Sequence, residues 1–153
     1  MFKKIIIPIL LLFLASCGYE ARYSKKNIIN YNFSISELTT DGNREVNIKL
    51  RERLINYIIN KKGKSLILII SSDAEKVVTA KDTAGDPSSF KYTIIIDVEV
   101  MMGKNFKKNL QIVESFNYNN NTNKFNLKKY ESEIISNLAE TVVEKLIYRL
   151  SNI

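Results

Sequence analysis

The hydrophobic patterning of this chain predicts an α+β fold. The expected form is a two-layer sandwich, with two helices packed on one face of a mostly antiparallel four-stranded sheet, in the order β-α-β-β-β-α. Three observations carry that expectation. Val46, Leu50, Leu54 and Ile58 recur every fourth residue, as do Ile134, Leu138, Val142, Leu146 and Leu150 near the end, and this is the spacing of a helix with one buried stripe. Between the two stretches, Tyr92, Ile94, Ile96, Val98, Val100 and Met102 alternate with a set that includes Lys91, Thr93, Asp97 and Glu99, the period of a strand with one solvated face. Helices gathered on one side of such a sheet bury both elements' apolar surfaces at once.

The chain opens with Met1-Phe2-Lys3-Lys4, a basic start, followed by an almost wholly apolar run from Ile5 to Leu14. That run suits the apolar core of a secretory signal and is too short to span a bilayer. Leu14-Ala15-Ser16-Cys17 then reads as a bacterial lipobox. In such motifs the cysteine thiol receives a diacylglycerol, the chain is cut before it, and the new amino terminus is acylated. A buried thiol in a core helix is the alternative, but it accounts for neither the basic start nor the small residues before the cysteine. Residues 1–16 are therefore expected to be removed, residues 17–27 to form a lipidated tether, and residues 28–153 to fold as a single α+β domain. Two or more acyl chains give a stable membrane anchor where one gives marginal binding. Gly18, where aspartate would signal retention at the inner membrane, favours the outer membrane, periplasmic side.

The remaining elements follow in order. Residues 28–35 carry Ile28, Tyr31, Phe33 and Ile35 and read as a short strand; residues 39–43 read as a polar break around Gly42. Asp41 or Asn43 supplies the cap of a helix over 44–62, whose stripe Ile55 and Ile59 widen. Lys61, Lys62 and Gly63 make its stop signal. Leu66 to Ile70 is an apolar run of strand length, which Val77 to Ala80 prolong or bend, and Gly85-Asp86-Pro87 marks a loop. After the alternating strand, Gly103-Lys104-Asn105 makes a tight connection to Phe106, Leu110, Ile112, Phe116 and Tyr118, of one parity, so the pair reads as an antiparallel hairpin. Residues 117–126 are asparagine-rich, and a final helix runs from about Leu127 to the end.

Composition excludes several chemistries. The chain contains no histidine, which removes Ser-His-Asp and Cys-His arrangements and the usual zinc sites. Cys17 is the one cysteine, so no intramolecular disulfide forms, and its expected alkylation leaves no nucleophile. Neither phosphate-binding glycine pattern occurs. Asp73 with Glu75, and Asp82 with Asp86, have acid–base or calcium chemistry open to them, but lack the spacing of a known loop and read as solvated turn acids. Asp97 and Glu99 mark the outward face of their strand. Tyr92, Phe106, Phe116, Tyr118 and Tyr130 have core parity and read as packing, not as a base-stacking platform, so no nucleic acid is expected. The formal charge is +7, or +5 once Lys3 and Lys4 leave (21 basic against 16 acidic residues). A basic exported protein suits an anionic partner such as a phosphorylated lipid; the alternative reading is that the abundance of Lys, Ile and Asn, all with AT-rich codons, reflects genome composition.

Taken together, the pattern resembles the LptE family of lipopolysaccharide-assembly lipoproteins. The resemblance rests on Cys17-Gly18-Tyr19, on the Asn43-Arg44-Glu45 start of the first helix, and on Phe90-Lys91-Tyr92 ahead of the long alternating strand. Ser115-Phe116-Asn117-Tyr118 through Tyr130-Glu131 completes it, leading into an amphipathic C-terminal helix. It covers essentially all of the chain after Cys17, and departs from the family in lacking a proline soon after the Cys-Gly-aromatic start. The resemblance implies a non-enzymatic lipoprotein with no cofactor beyond the covalent lipid on Cys17. It implies a one-to-one partner, the LptD-type outer-membrane β-barrel, whose lumen the lipoprotein plugs and whose assembly it aids. It also implies binding of lipopolysaccharide and its transfer to the outer leaflet.

Lipid phosphates call for cations. Loop topology places residues 39–44, 81–91 and 119–128 at the end opposite the tether, so Arg44, Lys81, Lys91 and Lys124 are the candidate lipopolysaccharide-binding set. The alternative is an outer-membrane lipoprotein acting as a protein-binding module of another envelope assembly system. An enzyme working through carboxylates is the other class considered, and nothing in the sequence recommends it.

Overall fold

The computed structural model describes residues 32–60, 63–103 and 106–153, Phe106 by its backbone alone. Cys17, the tether, Ile28, Tyr31, Lys61, Lys62 and Lys104 lie outside the described residues. Six elements follow one another: β1 (Phe33–Gly42), α1 (Arg44–Ile59), β2 (Lys64–Lys81), β3 (Pro87–Met102), β4 (Phe106–Asn119) and α2 (Lys124–Ser151). The strands form one mixed sheet in the order β1-β2-β3-β4. β1 pairs with β2 in parallel, while β2–β3 and β3–β4 are antiparallel. Parallel neighbours need a crossover, and α1 supplies it. The fold is therefore the α+β sandwich expected from the patterning.

Both helices cover the same face. Leu66, Leu68 and Ile70 of β2, Ile94, Ile96, Val98 and Val100 of β3, and Ile112 of β4 are buried beneath them. Val46, Leu50 and Leu54 of α1 and Ile134, Leu138, Val142, Leu146 and Leu150 of α2 complete the core. Each large aliphatic side chain so buried contributes roughly 1.5–3 kcal/mol before entropy is counted. The helices meet through Arg53 Nη2 and Glu140 at 3.1 Å, an exposed pair that adds little stability. Near the end of α2, Arg149 Nη1 donates to the Gln111 carbonyl at 2.7 Å, fixing the helix to the β4 edge.

Asn43 caps α1: its Oδ1 accepts the Val46 amide at 3.1 Å. Asn123 does the same for α2, accepting from Phe125 and Asn126 at 3.0 and 3.1 Å. Both asparagines satisfy amides that a first helical turn otherwise leaves unpaired.

Several boundaries differ from the sequence expectation. Residues 39–42 are not a break: Thr39, Thr40, Asp41 and Gly42 pair with Ile69, Ile70, Ser71 and Ser72. They are polar because β1 is an edge strand, with burial confined to Phe33, Ser34 and Ile35 at its start. β2 runs unbroken to Lys81, so the piece at Val77 prolongs it; its last residues are exposed, which hid their strand character. α1 ends at Ile59 rather than 62, capped by Asn60, whose side chain and amide both donate to the Asn56 carbonyl. Ile55 and Ile59 stay exposed and do not widen the buried stripe. Phe116 and Tyr130 also keep over two-fifths of their surface and Tyr92 is half-buried, so among the described side chains of the aromatic set Tyr118 is the buried one.

Unequal strand lengths shape the molecule. β1 ends opposite Ser72, whereas β2 continues for nine residues beyond it, a further distance of about 30 Å. β2, β3 and β4 therefore form a three-stranded extension on which the first half of α2 lies.

Candidate functional site

The candidate cations are distributed along this extension rather than gathered at one point. Lys81 ends β2 and pairs in register with Pro87. Lys124 begins α2, just after the β4–α2 loop. That loop is held to the start of β3: the Asn120 amide donates to the Ser88 carbonyl at 2.9 Å and Asn120 Nδ2 to the Pro87 carbonyl at 2.7 Å. Lys81 and Lys124 thus occupy one end of the molecule. Lys91 lies further up, opposite Val77 and Asn117, on the sheet face away from the helices. Arg44 follows Asn43, whose amide is bonded to Ser72, so it stands about 30 Å from Lys81 along β2. Grouping residues 39–44 with the other two loops is therefore corrected by strand length: β1 is too short to reach that end.

Sequence reasoning passed over several neighbours of these cations. Lys128 and Lys129 extend the positive charge of the first α2 turns, with Lys124 and Lys128 one helical turn apart. Phe125 stands between them with 77% of its surface exposed. Arg44 and Arg51 line an open cleft of about 310 Å³ with Thr40, Asp41, Gly42, Asn47 and Ile48. Arg51 Nε donates to Thr40 Oγ1 at 2.9 Å, which fixes its guanidinium there. The four-residue spacing of Lys124 and Lys128 was visible in the sequence; the Arg44–Arg51 cleft needed the course of β1.

A polar cluster ties the extension to α2. Lys76 Nζ and the Tyr118 hydroxyl both donate to Glu131 Oε1, at 2.5 and 2.7 Å. Lys76 Nζ also lies 4.0 Å from the Phe90 ring centroid, a cation–π contact. Burial, then the Glu131 hydrogen bond and charge, push the Tyr118 hydroxyl well above the usual phenol range. Tyr92 is raised as well, by burial and then by the Glu45 and Glu131 charges. These groups are committed to one another and serve to hold structure.

Of the four acids singled out as chemical candidates, Asp82 and Asp73 accept neighbouring backbone amides. Asp82 Oδ1 accepts the amides of Ala84 and Asp86, both at 2.9 Å, closing the β2–β3 loop. Asp73 Oδ1 accepts the Ala74 amide, and Asp97 Oδ1 accepts from Gln111 Nε2. No group of three or more potential metal ligands occurs among the described residues, and none of their helices is long and apolar enough to cross a membrane.

No protein-family model matches the chain, and no curated protein matches it in sequence. Its structure does match solved proteins. The rare lipoprotein B from Shewanella oneidensis superposes with a TM-score of 0.55 at 13% identity, over 76% of this chain and 97% of the other. The fold is one that lipoproteins carry. A minor lipoprotein from Acinetobacter baumannii gives 0.56 at 7% identity, over 80% and 92% of the two chains. An uncharacterized lipoprotein B from Nitrosomonas europaea gives 0.50 at 12% identity, over 79% and 86%. At such identities the likeness is one of fold, and it spans nearly all of each lipoprotein structure. The fold is thus shared across divergent sequences.

Proposed function

We propose that this chain is a lipid-anchored, non-enzymatic outer-membrane protein of the LptE type. In this reading it plugs an LptD-type β-barrel, aids assembly of that barrel, and helps pass lipopolysaccharide to the outer leaflet. The observation that carries the reading is the pairing of a lipobox at Cys17 with a fold that covers 86–97% of the lipoprotein structures it matches. The lysines of the extension support it further, because phosphorylated lipid A calls for point charges at an accessible end. The absence of histidine from the sequence and the structural use of Asp73, Asp82 and Asp97 accord with a binding role.

A mild-detergent pull-down of the tagged chain from its native membrane, with partners identified by mass, tests the proposal. A stoichiometric large β-barrel is the expected result. With the lipid anchor intact, absence of a barrel would sink the plug reading. It would leave the second one, a protein-binding module of another envelope assembly system, which the sheet face that neither described helix covers favours.

A further inference from the structure

Among the described residues, no element packs on the second face of the sheet. Its side chains are set by register. Val77 aligns with Lys91 and Asn117, Asp73 with Ile95 and Val113, and Ile67 with Met101 and Lys107. At the β1 edge, Asp41 aligns with Ser71 and Glu37 with Ile67. The buried residues of each strand alternate with these, so all of them share the outward face.

Two properties of this face stand out against the rest of the chain. It exposes branched and flexible apolar side chains along its length: Ile69 is 40% and Val113 51% exposed, and Ile67, Ile95 and Met101 are half-buried. It also carries six carboxylates, from Glu37, Asp41, Asp73, Glu75, Asp97 and Glu99, against the ammonium groups of Lys91 and Lys107. Among the described residues, Glu99 alone of these acids has a cation, Lys107 at 2.7 Å. The face is therefore acidic on a chain whose formal charge is +7.

We infer that this open sheet face docks a protein partner presenting lysine and arginine side chains around an apolar strip. The argument is one of complementarity. Unpaired carboxylates around apolar side chains repel a phosphorylated lipid and attract a basic protein surface, and the same charges set its register. The apolar residues lose water on contact and supply the affinity. Strand spacing and rise give the face roughly 600 Å², of the order of the ~800 Å² per partner found in stable interfaces. Of the candidate cations, Lys81 and Lys124 are thereby left to anionic lipid at the far end of the extension, while Lys91 stands on the sheet face among the carboxylates and belongs to the protein-docking surface. The inference rests on the reading that this chain works by binding another protein, and it holds for a barrel wall or any other envelope protein.

Zero-length carbodiimide coupling in native membranes, read by peptide mass, tests it on the full lipidated chain. The wild type is compared with an Asp73→Lys/Glu75→Lys variant, whose two sites are exposed and outside the core. The expected result is coupling of Asp73 or Glu75 to lysines of one other protein. Yield should fall about tenfold or more in the variant, with its urea midpoint unchanged. The helix carboxylates Glu133 and Glu144 should couple equally in both. Three outcomes would overturn the inference: coupling to lysines of this chain itself, whether in a second copy or in its own N-terminal segment; coupling confined to the helix carboxylates; or no coupling of the sheet carboxylates at all. A barrel retained equally by wild type and variant would keep the plug reading and remove this one. A wild type that retains no protein partner would remove both.

Discussion

The amide of Asn43 donates to the carbonyl of Ser72 at 2.9 Å, and with the Ser72 hydroxyl's contacts to the Asp41 and Asn43 carbonyls it joins the end of β1 and the start of α1 to the middle of β2. Ser72 is buried, and its hydroxyl lies 2.8 Å from the Asn47 Oδ1. Gly42 makes the approach feasible: its φ is +95°, and a Cβ there would stand 2.0 Å from the Ser72 carbonyl oxygen. Gly42→Ala should therefore destabilise the fold by about 3 kcal/mol or more, combining left-handed strain with a backbone clash. Gly85→Ala, also at positive φ but in open space, should cost only about 1 kcal/mol. Urea denaturation of the two variants checks the difference, and equal midpoints would refute it.

Replacing the α1 cap probes the same junction more gently. Asn43→Ala removes the acceptor for the Val46 amide and should cost about 1 kcal/mol, whereas Asn43→Gly should cost a few tenths. Thermal melts of both variants read the ordering. A larger loss in the glycine variant would show that the Oδ1 contact is not what caps the helix.

Tyr118 gives the fold a dependence on alkaline pH. Its hydroxyl is raised by burial and by Glu131, so the folded state holds the proton more tightly than the unfolded chain. The resulting stability is complete below the ordinary phenol pKa of about 10. It declines as pH rises through that value toward the folded one. Tyr118→Phe should cost about 1–2 kcal/mol at neutral pH through loss of a hydrogen bond to a charged acceptor, and should flatten the alkaline decline. Difference absorbance of tyrosinate against pH follows it directly: in the wild type, one tyrosine should ionise only as the protein unfolds.

The candidate cations should behave as two independent groups. Arg44 lies about 30 Å along β2 from Lys81, beyond the range at which substitutions couple. If the phosphate-binding proposal holds, replacing Lys81, Lys91 and Lys124 with alanine should weaken lipopolysaccharide binding severalfold. Arg44→Ala should add its effect, if any, without interaction. Titration of fluorescent lipopolysaccharide with the purified variants measures both, and unchanged affinity after all four replacements would dismiss the set.

How far the sequence revealed this architecture depended on which side chains are buried. α1, α2 and the β3–β4 hairpin were legible because Leu50, Leu54, Ile94, Ile96 and Leu146 write their periodicity into the core. The second halves of β1 and β2 were not, because Thr39, Asp41, Asp73 and Glu75 sit on backbone held by cross-strand hydrogen bonds with no apolar face to announce it. That gap carried into the candidate site. Which loops share an end follows from strand length, and with β1 read as ending at Ile35 the extension of β2 past Ser72 could not be inferred. The open sheet face was half legible: Asp97 and Glu99 marked its solvated side, but the continuous apolar run from Leu66 to Ile70 has no alternation that would put Ile69 on that face, and register alone places it there.

Because β1 pairs only with β2 among the described strands, the chain must make its first strand and first helix before that strand has any partner. A nascent segment ending at Ile59 can form the capped α1, yet β1 waits for residues 64–72 to be synthesised. The β2–β3 and β3–β4 hairpins join neighbours in sequence and close over short loops, so they carry little ordering cost. Parallel docking of β1 closes a longer loop and should be a late event in folding. Until it happens, the inner edge of β2 is bare from end to end. A chain stalled at that stage would offer an open strand to any other strand nearby, so its safe passage depends on how fast α1 brings β1 home.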